Sequence, residues 1–223
     1  MTDDLPRLSG PSFGPADGGK PKQLVVMLHG YGANGEDLIG LAAPLAQVLP
    51  HAEFVSPNAP YPCAANPFGG FQWFDVWQQD QTDRLGQLRA TAVIVNRFLD
   101  DALAARELSD AKLALVGFSQ GTMLSLHVGL RRAAPCAGIL GYSGRLEAPE
   151  TLPDEIAARP PVLLVHGEAD ELLPVALMDR AAEVLAANGV TVETHRCPGI
   201  GHGIDHDGVR LGAGFLSVIF SGR

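Results

Sequence analysis

Short apolar runs alternate with longer amphipathic stretches along most of the 223 residues. Four runs are apolar throughout, which is typical of strands buried on both faces of a sheet: residues 24–28, 113–116, 138–140 and 162–165. Two shorter segments, 53–55 and 190–193, predict further strands. The hydrophobic pattern therefore predicts a sheet whose central strands are covered on both sides.

Five stretches between these strands carry apolar residues at intervals of three and four positions, which predicts helices: residues 36–49, 87–107, 120–133, 174–188 and 206–219. Strands and helices that alternate in this way predict the α/β class, with a mostly parallel central sheet and helices on both faces. The short interval between residues 144 and 162 leaves no room for a separate cap domain.

Domain organisation follows from the same pattern. Residues 1–22 are rich in Gly and Pro and lack periodic apolar positions, so they predict an extended N-terminal arm or an irregular edge hairpin. Residues 23–223 contain no repeat and no internal linker. We therefore expect a single domain over that range.

Composition narrows the function classes. The net charge of −9 comes from dispersed acidic residues and there is no basic patch, so we do not expect a nucleic-acid partner. The first residues lack the cationic and apolar regions of a signal peptide, and no apolar run is long enough to span a bilayer. These features predict a soluble, cytoplasmic protein without a membrane anchor. The cysteines at 63, 136 and 197 are widely spaced, which predicts free thiols rather than disulfides or a zinc site.

The pattern G-x-S-x-G occurs twice, at residues 10–14 and 117–121. The first copy lies in the Pro-rich arm, with no strand before it and Pro15 directly after it, so we interpret it as accidental. The second copy follows an apolar strand and precedes an amphipathic helix, the setting of a nucleophilic serine on a strained turn. Ser119 is therefore the candidate nucleophile, and an ordinary strand-to-helix turn is the alternative.

A serine hydroxyl needs a neighbouring base and a third group that orients the base. In parallel α/β sheets with this motif the partners follow the serine in the order Asp or Glu, then His. Asp170 follows the strand at 162–165, and His202 lies in a Gly-flanked loop after the last strand. Loops after parallel strands gather at one edge of a sheet, so these side chains can meet Ser119. His206 and Glu168 are the alternative base and acid.

A metal site is the other interpretation of the region around residue 202. Its imidazole and carboxylate side chains could share one helix face: His202, Asp205, His206 and Asp207. Glycines at 201 and 203 disfavour a helix at that point. The sequence therefore favours general base chemistry at His202 over metal binding.

An anionic tetrahedral intermediate also needs preorganised N–H donors. The residue after the nucleophile, Gln120, supplies the first donor on folds of this kind. The Gly-rich turn at 28–32 ends the first clear strand, and its backbone can supply the second. An ordinary tight turn is the alternative for residues 28–32.

Several short motifs together resemble one known family, the phospholipase/carboxylesterase family of α/β-hydrolases, which includes bacterial carboxylesterases and acyl-protein thioesterases. The motifs lie at 28–32, 57–60, 73–75, 117–121, 143–144, 166–170 with Pro174, and 201–202. The resemblance covers nearly the whole chain after the arm. It implies catalytic Ser119, Asp170 and His202, backbone oxyanion donors at Tyr31 and Gln120, no metal or organic cofactor, and a homodimer.

Two positions depart from the family pattern. Tyr31 stands where many members have leucine, which implies a reshaped acyl pocket but an intact backbone donor. Arg145 follows the Ser-Gly pair at 143–144 where an apolar residue is usual. This arginine weakens the expectation of a long apolar acyl chain.

Aromatic residues crowd the segment after residue 58: Tyr61, Phe68, Phe71, Trp73, Phe74 and Trp77. This cluster predicts either a loop packed on its own small core or an apolar wall over the nucleophile. We take Trp73, Phe74 and Leu172 as the candidate substrate contacts.

The expected activity is serine-dependent hydrolysis of short to medium acyl esters through an acyl-enzyme, with lysophospholipase or thioesterase activity included. The partner would be a small-molecule acyl ester. Two alternatives stay open, because a fold does not name a substrate. They are a non-catalytic binding protein of the same fold and a serine peptidase on that fold.

Overall fold

The computed structural model describes residues 5–63, 65–66 and 69–221. Within these ranges it contains nine strands: β1 (Ser12–Phe13), β2 (Gln23–Leu28), β3 (Ala52–Val55), β4 (Tyr61–Pro62), β5 (Phe71–Gln72), β6 (Leu113–Phe118), β7 (Gly138–Tyr142), β8 (Val162–Gly167) and β9 (Val192–Cys197). The six predicted strands are all present.

Seven strands form the central sheet in the order β1-β3-β2-β6-β7-β8-β9. Only β1 is antiparallel to its neighbour, so the prediction of a mostly parallel sheet is confirmed. The N-terminal segment supplies β1, where Ser12 pairs with Val55 at the sheet edge opposite β9. The small hairpin of β4 and β5 was not predicted from the sequence.

The helices within the described ranges are α1 (Gly35–Ile39), α2 (Ala42–Ala46), α3 (Gln81–Arg106), α4 (Gln120–Gly129), α5 (Leu152–Glu155), α6 (Ala176–Ala187) and α7 (His206–Phe220). Alternate residues of β2 point to opposite faces of the sheet, as the pleat requires. Leu24 and Val26 join the core under α3, α4 and α6, whereas Val25 and Met27 join the core under α1, α2 and α7. The predicted helix layers on both faces are therefore confirmed.

Two predicted helices have different bounds in the structure. The stretch at 36–49 forms two short helices, because Pro44 has no N–H and its ring would clash with the carbonyl group of Gly40 in a continuous helix. The helix predicted at 87 begins at residue 81, where Asp80 caps it by accepting hydrogen bonds from the backbone N–H groups of Thr82 and Asp83. The sequence pattern missed this start because the first turn of α3 is polar.

Two composition-based expectations can be compared with the structure. Cys63, Cys136 and Cys197 are buried and free, as predicted. In the part of the chain that the structure describes, no helix has the length and apolar character needed to cross a bilayer.

Candidate active site

Ser119 lies in a sharp turn between β6 and α4. Its backbone adopts φ 54° and ψ −114°, a conformation that side-chain-bearing residues rarely occupy. A Cβ atom at Gly121 would overlap the carbonyl oxygen of Leu28, and one at Gly117 would crowd the backbone of α4. The predicted strained turn is therefore present, and its two glycines allow the strand and helix to approach closely.

The imidazole of His202 lies between the Ser119 hydroxyl and the Asp170 carboxylate. The distance from Nε2 of His202 to Oγ of Ser119 is 3.0 Å, and the distance from Nδ1 to Oδ2 of Asp170 is 2.8 Å. The three residues follow β6, β8 and β9, whose carboxyl ends lie at the same edge of the sheet. The structure thus brings together the three side chains that the sequence singled out.

The Asp170 side chain is fully buried, and both of its carboxylate oxygens have polar partners. Oδ1 accepts hydrogen bonds from the backbone N–H groups of Leu172 and Leu173, at 3.0 and 2.8 Å. Nε2 of His166 lies 3.2 Å from Oδ2, beside the bond to His202. Burial alone would raise the pKa of Asp170, but the hydrogen bonds from Leu173 and His202 outweigh it and hold the pKa below its ordinary value. The group is therefore an anion that can orient the imidazole.

The loops that carry Asp170 and His202 are joined by backbone hydrogen bonds. The N–H of Ala169 donates to the carbonyl oxygen of Ile200 at 2.9 Å. The hydroxyl of Ser143 donates to the carbonyl oxygen of Gly203 at 3.2 Å, next to the imidazole. Ser143 therefore positions the His202 loop, a role that its sequence motif alone did not indicate.

The side chain of Gln120 joins the nucleophile turn to the loop after β5. Its Oε1 accepts a hydrogen bond from the backbone N–H of Trp73 at 2.9 Å, and its Nε2 donates to the carbonyl oxygen of Phe74 at 2.6 Å. Trp73 and Phe74 are 0% and 1% exposed and pack in the core. They do not line the cavity over Ser119. These two predicted substrate contacts are instead core residues that anchor the loop after β5.

The backbone N–H groups of Gln120 and Tyr31 are the two candidate oxyanion donors. Gln120 is the first residue of α4, so its backbone N–H has no acceptor within the helix and lies at the positive end of the helix dipole. A Cβ atom at Gly30 would lie 3.1 Å from the Phe118 ring and 3.5 Å from the Ser119 Cβ. This close approach brings the backbone that leads into Tyr31 beside the serine.

A cavity of about 250 Å³ opens over Ser119. Its wall includes Tyr31, Ala33, Val76, Trp77, Met123, Arg145, Leu172, Leu173 and His202. Of the predicted contacts, Leu172 lies in this wall and is 54% exposed. Trp77 packs edge-on against Tyr31, with ring centroids 6.5 Å apart. The aromatic-rich segment thus contributes to the wall through Trp77, while Phe68 of the same cluster lies outside the described residues.

The alternative base and acid do not line the cavity over Ser119. His206 is the exposed first residue of α7, and Glu168 is an exposed loop residue. The Asp205 carboxylate caps α7 by accepting a hydrogen bond from the backbone N–H of Gly208. Among residues 5–63, 65–66 and 69–221 there is no group of three or more His, Cys, Asp or Glu side chains that could hold a metal ion.

His29 has a structural role beside the candidate oxyanion site. Its Nδ1–H donates to the carbonyl oxygen of Gly30 at 2.7 Å, and its Nε2 accepts a hydrogen bond from the backbone N–H of Ala59 at 3.0 Å. Burial lowers the pKa of this imidazole, which matches a neutral ring with one donor and one acceptor nitrogen. The residue therefore holds the turn at 29–31 in place.

Comparison with known proteins agrees with this architecture. Residues 15–220 match the family model described as phospholipase/carboxylesterase. The chain is 31% identical to acyl-protein thioesterase 1 of Schizosaccharomyces pombe over 74% of this chain and 75% of that protein. It is 28% identical to esterase YpfH of Escherichia coli over 83% and 78% of the two chains. The crystal structure of esterase PE8 superposes with a TM-score of 0.90 at 41% identity, covering 96% of this chain and 99% of that one. The chain therefore belongs to the phospholipase/carboxylesterase family.

Proposed function

We propose that this protein is a serine-dependent carboxylic ester hydrolase in which Ser119 is the nucleophile, His202 the general base and Asp170 the orienting acid. The observation that carries the proposal is the hydrogen-bonded row from Ser119 Oγ through both His202 nitrogens to the Asp170 carboxylate. Membership of a family described by phospholipase and carboxylesterase activity supports the same reaction class.

The catalytic cycle follows from this geometry. Nε2 of His202 takes the hydroxyl proton as Ser119 Oγ attacks the ester carbonyl carbon, and the Asp170 anion stabilises the resulting imidazolium. Backbone N–H groups of Gln120 and Tyr31 stabilise the negative oxygen of the tetrahedral intermediate. The imidazolium then donates its proton to the departing alcohol, which leaves an acyl-enzyme. Water activated by the same imidazole hydrolyses the acyl-enzyme.

The cavity supports short to medium acyl esters as substrates. It holds about 250 Å³, and apolar side chains such as Val76, Trp77, Met123 and Leu172 form much of its wall. Such a wall accepts an acyl chain, whereas Arg145 interrupts it with a charge. Relatives named as acyl-protein thioesterases extend the proposal to thioesters, which the same acyl-enzyme route hydrolyses.

Labelling with a fluorophosphonate probe tests the nucleophile. We expect Ser119→Ala to abolish covalent labelling and to lower kcat/KM for p-nitrophenyl esters by at least about 10³-fold. The matched control is Ser12→Ala in the other G-x-S-x-G segment, at the far sheet edge, which should label like the wild type. Persistent labelling of Ser119→Ala would disprove the assignment.

The same assays separate the alternatives. A serine peptidase would cleave aminoacyl anilides faster than p-nitrophenyl esters, and a non-catalytic binding protein would turn over neither.

A cytoplasmic location and a homodimer also belong to the proposal. Cell fractionation and sedimentation of the purified protein test them.

A further inference from the structure

A second cavity, of about 270 Å³, adjoins the cavity over Ser119. The two share Arg145, whose side chain is 27% exposed and lies at their junction. The second cavity is also lined by Arg84, Arg180, Glu147 and Glu150. It therefore concentrates charged groups next to the reacting serine.

Positive charge exceeds negative charge in this wall. Glu147 is 7% exposed and accepts a hydrogen bond from Nε of Arg145 at 2.6 Å, while Nε of Arg84 lies 3.4 Å away. One carboxylate is thus shared by two guanidinium groups. The Arg180 side chain forms no ion pair or hydrogen bond with any residue that the structure describes. Arg180 and Glu150 are both exposed, and the wall as a whole carries three guanidinium groups against two carboxylates.

The whole chain carries a net charge of −9, so its average field repels anions. A local excess of guanidinium groups in the adjoining cavity, next to the cavity over Ser119, reverses that preference at one place. Guanidinium groups bind carboxylates and phosphates through paired N–H donors. The apolar wall at Trp77 and Leu172 faces the same reacting centre, so the two cavities together suit a substrate with an apolar part and an anionic part.

We propose that Arg145 and Arg180 bind a carboxylate or phosphate group carried by the ester substrate, so that the enzyme prefers anionic acyl esters to neutral ones. This inference rests on the proposed ester hydrolase function. It names the substrate class of the site, and it gives a physical role to the arginine that interrupts the apolar cavity.

Matched substrate pairs test the preference. The carboxylate arm uses mono-p-nitrophenyl esters of succinate, glutarate and adipate, each compared with its neutral methyl ester. The phosphate arm uses short-chain acyl esters of glycerol phosphate, compared with the same esters of glycerol. For the wild type we expect kcat/KM to be about tenfold higher for the anionic member of at least one arm, and the arm identifies the anion. Added salt should reduce that ratio, because ions screen partly exposed charges.

Two variants and one control test where the anion binds. Arg145→Met and Arg180→Met should each lower the anionic-to-neutral ratio by about three- to tenfold. Arg180 lies outside the cavity over Ser119, so Arg180→Met should lower the ratio through the anionic esters and leave kcat/KM for the neutral esters nearly unchanged. Arg180→Met breaks no side-chain hydrogen bond or ion pair among the described residues, so it still tests the inference if Arg145→Met fails to fold. The control is Arg210→Met, which removes one positive charge from exposed α7, outside both cavity walls.

The results separate this inference from the proposed function. Equal or faster hydrolysis of the neutral esters by the wild type in both arms would overturn the inference while leaving the hydrolase intact. An anionic preference that survives in both Arg145→Met and Arg180→Met would also overturn it. Failure of the wild type to hydrolyse any ester would overturn the proposed function and the inference together.

Discussion

Single side chains set the charge state of the candidate triad. Asp170 stays ionised in a buried position because two backbone N–H groups and His202 donate to it. That anion fixes the proton of His202 on Nδ1, which leaves Nε2 free to accept the proton of Ser119. Nε2 of His166 lies 3.2 Å from the same carboxylate and adds a further contact.

The variant Asp170→Asn tests this orientation. An asparagine has nearly the same shape, but its NH₂ group cannot accept a hydrogen bond from Nδ1–H, so the imidazole tautomer with its proton on Nε2 is favoured. We expect kcat to fall by about 10³–10⁴-fold while the Tm changes little.

Glu168→Gln is the matched control for Asp170→Asn, since it neutralises an exposed carboxylate two residues away. It should retain wild-type kcat. Loss of activity in Glu168→Gln with retention in Asp170→Asn would reverse the assignment of the acid.

At the scale of elements, the junction of β6 and α4 places the nucleophile. All ten residues of α4 are buried, and the helix packs against the carboxyl end of β2 through Gly121. That contact holds the first turn of α4, with the Gln120 N–H, beside the turn at Gly30 and Tyr31. The two proposed oxyanion donors therefore depend on a glycine that does not line the cavity over Ser119.

The variant Gly121→Ala tests the role of this contact. The new methyl group would overlap the Leu28 carbonyl oxygen, so α4 must move away from β2. We expect a loss of about 1–3 kcal/mol in the free energy of unfolding, measured by urea denaturation. We also expect at least a tenfold fall in kcat/KM of the folded protein, because the donors separate.

Gly14→Ala provides the control, since Gly14 ends the other G-x-S-x-G segment and a Cβ there meets nothing within 4 Å. It should leave both stability and activity unchanged. If Gly121→Ala behaved like Gly14→Ala, the close approach of α4 and β2 would not be what places the donors.

At the scale of the whole molecule, buried ionisable groups make folding depend on pH. His127 of α4 is 4% exposed, and its Nδ1 has no hydrogen-bond partner among the described residues. Burial, with a smaller contribution from the Arg131 charge, lowers its pKa from 6.5 to about 4. The folded protein therefore keeps this imidazole neutral over a range in which the unfolded chain protonates it.

The sign of the pH effect follows from this difference. Between about pH 6.5 and pH 4 the unfolded state binds the extra proton, so the free energy of unfolding should fall as the pH falls, by up to about 3 kcal/mol. In His127→Leu this contribution disappears, and the variant should lose less stability than the wild type over the same range. The measurement is urea denaturation at several pH values.

His206→Gln serves as the control for His127→Leu, because it removes an exposed histidine. It should follow the wild-type stability profile. Parallel pH profiles for the wild type and His127→Leu would contradict the assignment of this term to His127.

The amino-acid sequence by itself determined the α/β class and the strand and helix order, and it singled out Ser119, Asp170 and His202 as the candidate triad. These features can be recognised from local sequence. Apolar periodicity indicates which residues are buried, and the glycines at 117, 121, 201 and 203 mark turns where larger residues fit poorly. Loops that follow parallel strands must meet at one edge of the sheet, so the order along the chain was enough to group the three side chains.

Only the tertiary structure decided which side chains line the cavity over Ser119. Trp73 and Trp77 lie four residues apart in one irregular segment, yet Trp73 is in the core and Trp77 is in the cavity wall. An irregular loop has no regular repeat from which the sequence could predict which side chains point inward. Here the path of the loop is fixed by a hydrogen bond between the Gln120 side chain and Trp73, 47 residues apart in the chain. The charge balance around Arg145 depends in the same way on contacts between distant segments, which no local pattern encodes.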